Sequence, residues 1–124
     1  MNRVIGLGGI FFKSAEPKKL YDWYERHLGI KQGATFPWRR VDDPSNETCT
    51  AWSIFPHDTK YFGSGPAPFM INYQVEDMDA LLEALRAEGV TIDPKREDGE
   101  YGRFAWIVDP DGNRIELWEP PKEK

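Results

Sequence analysis

The chain opens the same way twice. Residues 4–12, VIGLGGIFF, read as an apolar strand, and SAEPKKLYDWYERHL (14–28) follows as a helix signal that Gly29 stops. Residues 69–75, FMINYQV, read as a second such strand, and DMDALLEALRAE (77–88) as a second helix that Gly89 ends. Gly29-Ile30 and Gly89-Val90 stand 60 residues apart. A strand–helix unit repeated at that period is one supersecondary unit, and its apolar face needs the other copy for cover.

The details of each half agree with this division. Pro17 suits a first helical turn, where a missing N–H costs nothing. Leu20, Trp23, Tyr24, His27 and Leu28 fall on one helical stripe. In the second helix Asp77 is placed to cap, and Met78, Leu81, Leu82 and Leu85 form the stripe. Short extended segments then follow each helix. They are Gly29–Gln32, Phe36–Val41 and Cys49–Phe55 in the first half, and Val90–Ile92, Arg103–Val108 and Arg114–Glu119 in the second. DDPSNE (42–47) reads as a loop, and DPDGN (109–113) as the tight turn of a hairpin. FGSGPAP (62–68) has the composition of a connection, and the tail 120–124 reads as frayed. The pattern predicts an α+β fold, βαβββ–βαβββ, as one domain over 1–124 with modules 4–61 and 69–119.

Composition bounds what such a domain can do. A chain of 124 residues has room for one domain, and five Trp supply a large apolar area for its core. A net charge of −5 without a Lys/Arg stripe argues against a nucleic-acid partner. No apolar run is long enough to span a bilayer, and the first residues lack the pattern of a signal peptide, so the expectation is a cytoplasmic protein. Cys49 is the single cysteine and has no partner in the chain for a disulfide.

Alternation sorts the strand faces. Phe69, Ile71, Tyr73 and Val75 share one face of their strand, and Met70, Asn72 and Gln74 the other. Ile115 and Leu117 oppose Arg114, Glu116 and Trp118 in the same way. The aliphatic faces belong under the helices. The opposite face mixes amides, charges and an aromatic, which suits the wall of a ligand cavity.

The strand–helix repeat, the spacing from Gly9 to Tyr24 and the run YGRFAWIVDPDGNRIELWEP (101–120) resemble the vicinal oxygen chelate superfamily, which includes glyoxalase I, bleomycin-resistance proteins and extradiol dioxygenases. The resemblance covers nearly the whole chain. It implies paired βαβββ modules curving a mixed sheet around a cavity, and a homodimer. Metal-dependent members place ligands on their first, fourth, fifth and eighth strands. Those positions fall here on Gly9, on Trp52 or Ser53, on Met70 and on Glu116. Gly9 has no side chain, a thioether is a poor partner for a hard divalent ion, and one carboxylate does not make a catalytic site. The expectation is therefore no metal and no cofactor.

Glu116 is the candidate catalytic residue, as a general base if the cavity is partly dry. Anchoring a ligand or pairing with Arg114 are its other readings. Phe11, Trp38, Trp52, Asn72, Gln74, Trp106, Arg114 and Trp118 are the candidate ligand-binding residues. Gly9 beside Phe11 leaves room against the sheet for a planar or ring-containing ligand. His27 reads as structural, and His57, after Pro56, as exposed. The DPDGN turn lacks the spacing of a calcium loop. Two functions stay open: a metal-independent small-molecule-binding protein, and a metal-free isomerase, epimerase or lyase using Glu116. A metal-dependent glyoxalase or dioxygenase is less favoured.

Overall fold

The computed structural model describes residues 3–122. In chain order its elements are β1 (Val4–Ser14), α1 (Pro17–Leu28), β2 (Thr35–Arg39), β3 (Glu47–Pro56), β4 (Phe69–Val75), α2 (Met78–Ala87), β5 (Thr91–Gly99), β6 (Gly102–Val108) and β7 (Arg114–Glu119). The strands form one curved, mixed sheet in the order β2-β3-β1-β4-β7-β6-β5. The repeat survives in the pairing. β1 runs parallel to β3 as β4 runs parallel to β7, and the two opening strands, β1 and β4, join the halves antiparallel.

Each helix ends where the local chemistry says it should. Pro17 sits in the first turn of α1, and Gly29 closes that helix at φ 71°, a left-handed conformation that glycine adopts without a Cβ penalty. Asp77 caps α2 by accepting a hydrogen bond from the Ala80 backbone N–H at 3.1 Å. Between β6 and β7, Asp109 accepts from the backbone N–H groups of Asp111 and Asn113, both at 2.9 Å. These bonds hold its carboxyl below the usual aspartate range, with the Asn113 side chain the largest cause.

The sequence expectation needs correction in three places. Gly29–Gln32 is not a strand. A turn closed by Ala34 N–H on the Lys31 carbonyl, with Gly33 at φ 83°, follows the helix end too closely to leave an extended run. The sheet therefore has seven strands. β5 runs on to Gly99 because an irregularity between Ile92 and Arg96 absorbs Pro94 and pairing with β6 resumes beyond it. Finally, α1 docks through Tyr21 and Tyr24, not through its whole predicted stripe. Both rings meet Trp52 edge-on, and the Tyr21 hydroxyl exchanges hydrogen bonds with the Ile54 backbone. Trp23, His27 and Leu28 are left exposed.

The helix face of the second half is apolar as alternation requires. Val75, Met78, Leu81, Leu82, Ala105 and Leu117 form a buried cluster between α2 and the sheet. A second cluster, Phe11, Phe62, Met70 and Trp106, lies on the opposite, inner face. Among the described residues no helix is long and apolar enough to cross a membrane.

Candidate functional site

Strand register puts one row of residues across the inner face: Ala51, Gly9, Asn72, Glu116 and Trp106 are successive cross-strand partners from β3 to β6. Side chains opposite one another in such a row point the same way. Asn72 therefore stands beside Glu116 and donates from Nδ2 to Oε1 at 2.6 Å. From the other side, Trp106 Nε1–H donates to Oε2 at 3.0 Å. The Tyr61 hydroxyl also donates to Oε2. Glu116 is 2 % exposed, so its carboxylate is a buried acceptor with three donors in place. Burial pushes the Tyr61 phenol pKa up, and its bond to Glu116 adds to that shift. Tyr61 thus holds its proton firmly.

Tyr61 comes from the connection between the halves, 57–68, which contains no strand or helix. Its ring lies parallel to Phe55 at 5.5 Å and edge-on to Trp106 at 6.3 Å. Phe62 beside it is buried in the inner-face cluster. A Gly- and Pro-rich stretch with an adjacent Tyr-Phe pair was the available signal for this contribution, and composition alone reads past it.

The inner face is closed here, not an open cavity. Asn72, Gln74 and Glu116 are all at most 2 % exposed. Glycines in β1 make room for neighbouring side chains instead of for a ligand. A Cβ on Gly9 would stand 2.6 Å from the Phe11 ring, and one on Gly8 would stand 2.1 Å from Asn72 Oδ1. Three recesses open elsewhere, and Glu116 lines none of them. One of about 520 Å³ lies beside Arg40, Glu47 and Gln74, one of about 530 Å³ between Asp79 and Asp98, and one of about 470 Å³ beside Lys19 and Trp23.

Of the sequence candidates, Asn72, Trp106 and Phe11 lie with Glu116. Trp118 is close by. It packs against Gly8, lies parallel to Phe104 at 6.1 Å and donates to the Tyr101 carbonyl at 2.8 Å. The others are placed differently. Trp52 packs under α1 on the helix face, because its register partner Ile10 points there; Ser53, the partner of Phe11, is the inner-face residue at that position. Trp38 covers Gly6. Gln74 crosses the glycine strand to donate to Thr48 and to the Cys49 carbonyl, each at 2.8 Å. Arg114 does not pair with Glu116. Its guanidinium donates to Asp93 at 2.6 Å and lies over the Trp106 ring at 5.3 Å. The Lys95 backbone N–H and this Arg114 bond hold Asp93 below the usual aspartate range. His57 is exposed.

A divalent metal does not fit this donor set. Asn72, Trp106 and Tyr61 all turn N–H or O–H groups toward Glu116, and the indole N–H of Trp106 has no lone pair to give. Met70 brings a thioether to the same face and Gly9 brings no atom. Among the described residues no three His, Cys, Asp or Glu side chains gather as a metal cluster.

The model of the Glyoxalase/Bleomycin resistance protein/Dioxygenase superfamily matches residues 12–117. Among curated protein sequences none matches. Among solved structures, methylmalonyl-CoA epimerase from Mycobacterium tuberculosis superposes with a TM-score of 0.68 at 21% identity, over 98% of this chain and 92% of that one. A variant of Streptomyces coelicolor methylmalonyl-CoA epimerase in complex with 2-nitronate-propionyl-CoA gives 0.68 at 14% identity, over 96% and 99%. A Legionella pneumophila structure described as an NAD-dependent benzaldehyde dehydrogenase gives 0.57 at 12% identity, over 91% and 98%. At such identities, and with such different described activities, the likeness shows the fold alone. The seven-stranded curved sheet, the βαβ-opened halves and a family match over most of the chain agree, and this protein belongs to the glyoxalase/bleomycin resistance protein/dioxygenase superfamily.

Proposed function

We propose that this protein binds a small molecule on its inner face, at Glu116, without a metal ion. The observation behind this reading is the buried carboxylate with Tyr61, Asn72 and Trp106 directed at it. Stability alone does not call for a carboxylate there, since well-packed apolar residues at such positions are often as stable or more so. Glu116, the carboxylate of an inner face otherwise built from aromatic, amide and thioether side chains, is therefore the point where a ligand's polar group is recognised. The test is a mass-spectrometric survey of compounds retained through gentle purification, repeated on Glu116→Gln. A retained compound lost in the folded variant supports the reading. A compound retained equally by both places the ligand elsewhere.

A second reading, a metal-free isomerase, epimerase or lyase, draws on one specific feature. The Tyr61–Glu116 contact sets a carboxylate beside a phenolic O–H, two group types from which acid–base catalysts are built. Structural neighbours are named methylmalonyl-CoA epimerases, at 21% and 14% identity, too low to carry that activity over. Incubating carbon-acid thioesters with the protein in D₂O and following exchange by NMR separates the two readings. Under the enzyme reading Glu116→Gln slows exchange by about 10²–10⁴-fold, and under the binding reading no exchange exceeds the buffer rate.

We also propose a homodimer. α1 and α2 flank the sheet and leave its central seam uncovered, with Leu7, Ile10 and Phe69 each about two-fifths exposed (43%, 39% and 42%) on the helix face. A second copy is the occupant that would cover this apolar strip.

A further inference from the structure

Building on the reading that Glu116 is a ligand site, we infer that the Tyr61 side chain stands in the ligand's own place, and that the ligand is an aromatic compound whose hydroxyl donates to Glu116. Tyr61 satisfies the three demands this spot makes. Its ring lies flat against Phe55 at 5.5 Å, it meets the Trp106 edge at 85°, and its O–H reaches Oε2 of a carboxylate that is 2 % exposed. A ligand entering here has to replace each of these contacts. A flat ring replaces the stacking. Only a donor replaces the O–H, because an acceptor facing the carboxylate would leave two buried acceptors opposed.

Tyr61 is also built to leave. Around Tyr61 the segment's hydrogen bonds are local: Gly63 N–H to the Lys60 carbonyl and Tyr61 N–H to the Thr59 hydroxyl, with Thr59 N–H turning back to the carbonyl of Pro56, the last residue of β3. The sheet holds the segment at its ends, through Pro56 and through Lys13 N–H on the Pro68 carbonyl at 2.8 Å, and the buried Phe62 anchors it next to Tyr61. Outward movement of Tyr61 breaks no strand ladder. It gives up one side-chain hydrogen bond and the ring contacts, which the incoming ligand restores. The cost of that exchange falls on apparent affinity, since only the fraction of molecules with Tyr61 displaced is competent to bind.

The test uses 4-methylphenol and 2-naphthol as probes, with 4-methylanisole and 2-methoxynaphthalene as ethers of matched shape. Binding to the intact protein is followed by calorimetry, and backbone exchange over 57–68 by hydrogen–deuterium mass spectrometry. The expected result is phenol binding at least about tenfold tighter than ether binding, with faster exchange at 59–63 in the bound state. Tyr61→Phe keeps the ring but not the latch, and it should bind the phenols more tightly than the parent. Equal binding of phenols and ethers, or binding only to a truncated Tyr61→Ala variant as simple cavity filling, overturns the inference. A retained compound lost in Glu116→Gln but carrying no hydroxyl donor also overturns it, and leaves the Glu116 site standing. A retained compound indifferent to Glu116 removes the site as well.

Discussion

Replacing Tyr61 by Phe removes one oxygen atom and leaves the ring that packs on Phe55 and Trp106, so it isolates the hydroxyl. Glu116 keeps Asn72 on Oε1 at 2.6 Å and Trp106 on Oε2 at 3.0 Å. A hydrogen bond to a charged acceptor contributes about 1.5–3 kcal/mol. At about 2.1 cal/mol/K per residue, unfolding 124 residues carries an entropy near 0.26 kcal/mol/K, so Tm should fall by about 6–11 °C. The pH dependence provides an independent check. Burial first, and the Glu116 bond second, raise the Tyr61 pKa above its ordinary value of 10.0. Above that pH the unfolded chain loses the Tyr61 proton while the folded chain keeps it, so the unfolded state binds fewer protons and stability falls. The contribution is fully present below about pH 10 and declines above it by at most about 1.4 kcal/mol per pH unit. Solvent screening of a half-buried ring reduces the pKa shift, and with it the pH range over which stability is lost. Urea unfolding of parent and variant between pH 7 and 11 should show their difference shrinking above pH 10. A Phe variant within about 2 °C of the parent at neutral pH, with an unchanged alkaline slope, would refute the contact and the site built on it.

Gly8→Ala should destabilise the protein by about 1–3 kcal/mol in urea unfolding through overpacking, because its Cβ would press on Asn72, which is tied to Glu116. Gly99→Ala, where a Cβ meets nothing within 4 Å, should be neutral or stabilising by up to about 1 kcal/mol; a Gly8→Ala variant equally mild would mean that β1 is not crossed by its neighbours. Elemental analysis should find no stoichiometric divalent metal, and zinc at 100 times a micromolar Kd, which would add about 2.7 kcal/mol through a real site, should leave Tm unchanged. Light scattering at micromolar concentration should give twice the chain mass, and Ile10→Glu, which puts a charge in the uncovered seam, should give the monomer; a monomeric parent ends the dimer proposal.

Local sequence chemistry determined the two helices, their glycine stops, the Asp77 cap and the Asp109 turn, because each depends on residues a few positions apart. Period-two alternation determined which side of β4 and β7 faces α2, since strand geometry leaves no choice once one face is apolar. Glu116 was legible as a lone carboxylate on the other face. Its surroundings were not, because hydrogen-bond partners are chosen by register and by long-range packing. Asn72 and Trp106 reach Glu116 because β4 and β6 both lie beside β7, an order that no local pattern encodes. Trp52 and Ser53 were separated by a one-residue step in register, which sends a side chain to the opposite face of the sheet. Gly8 and Gly9 looked like space for a ligand, and only the folded chain showed that Asn72 and Phe11 fill it. Tyr61 was hidden most completely. It lies 55 residues from Glu116 in a connection whose Gly and Pro content marks it as irregular. An irregular segment has no periodicity from which to read direction, so only the curved sheet beneath it decided that its aromatic pair points inward.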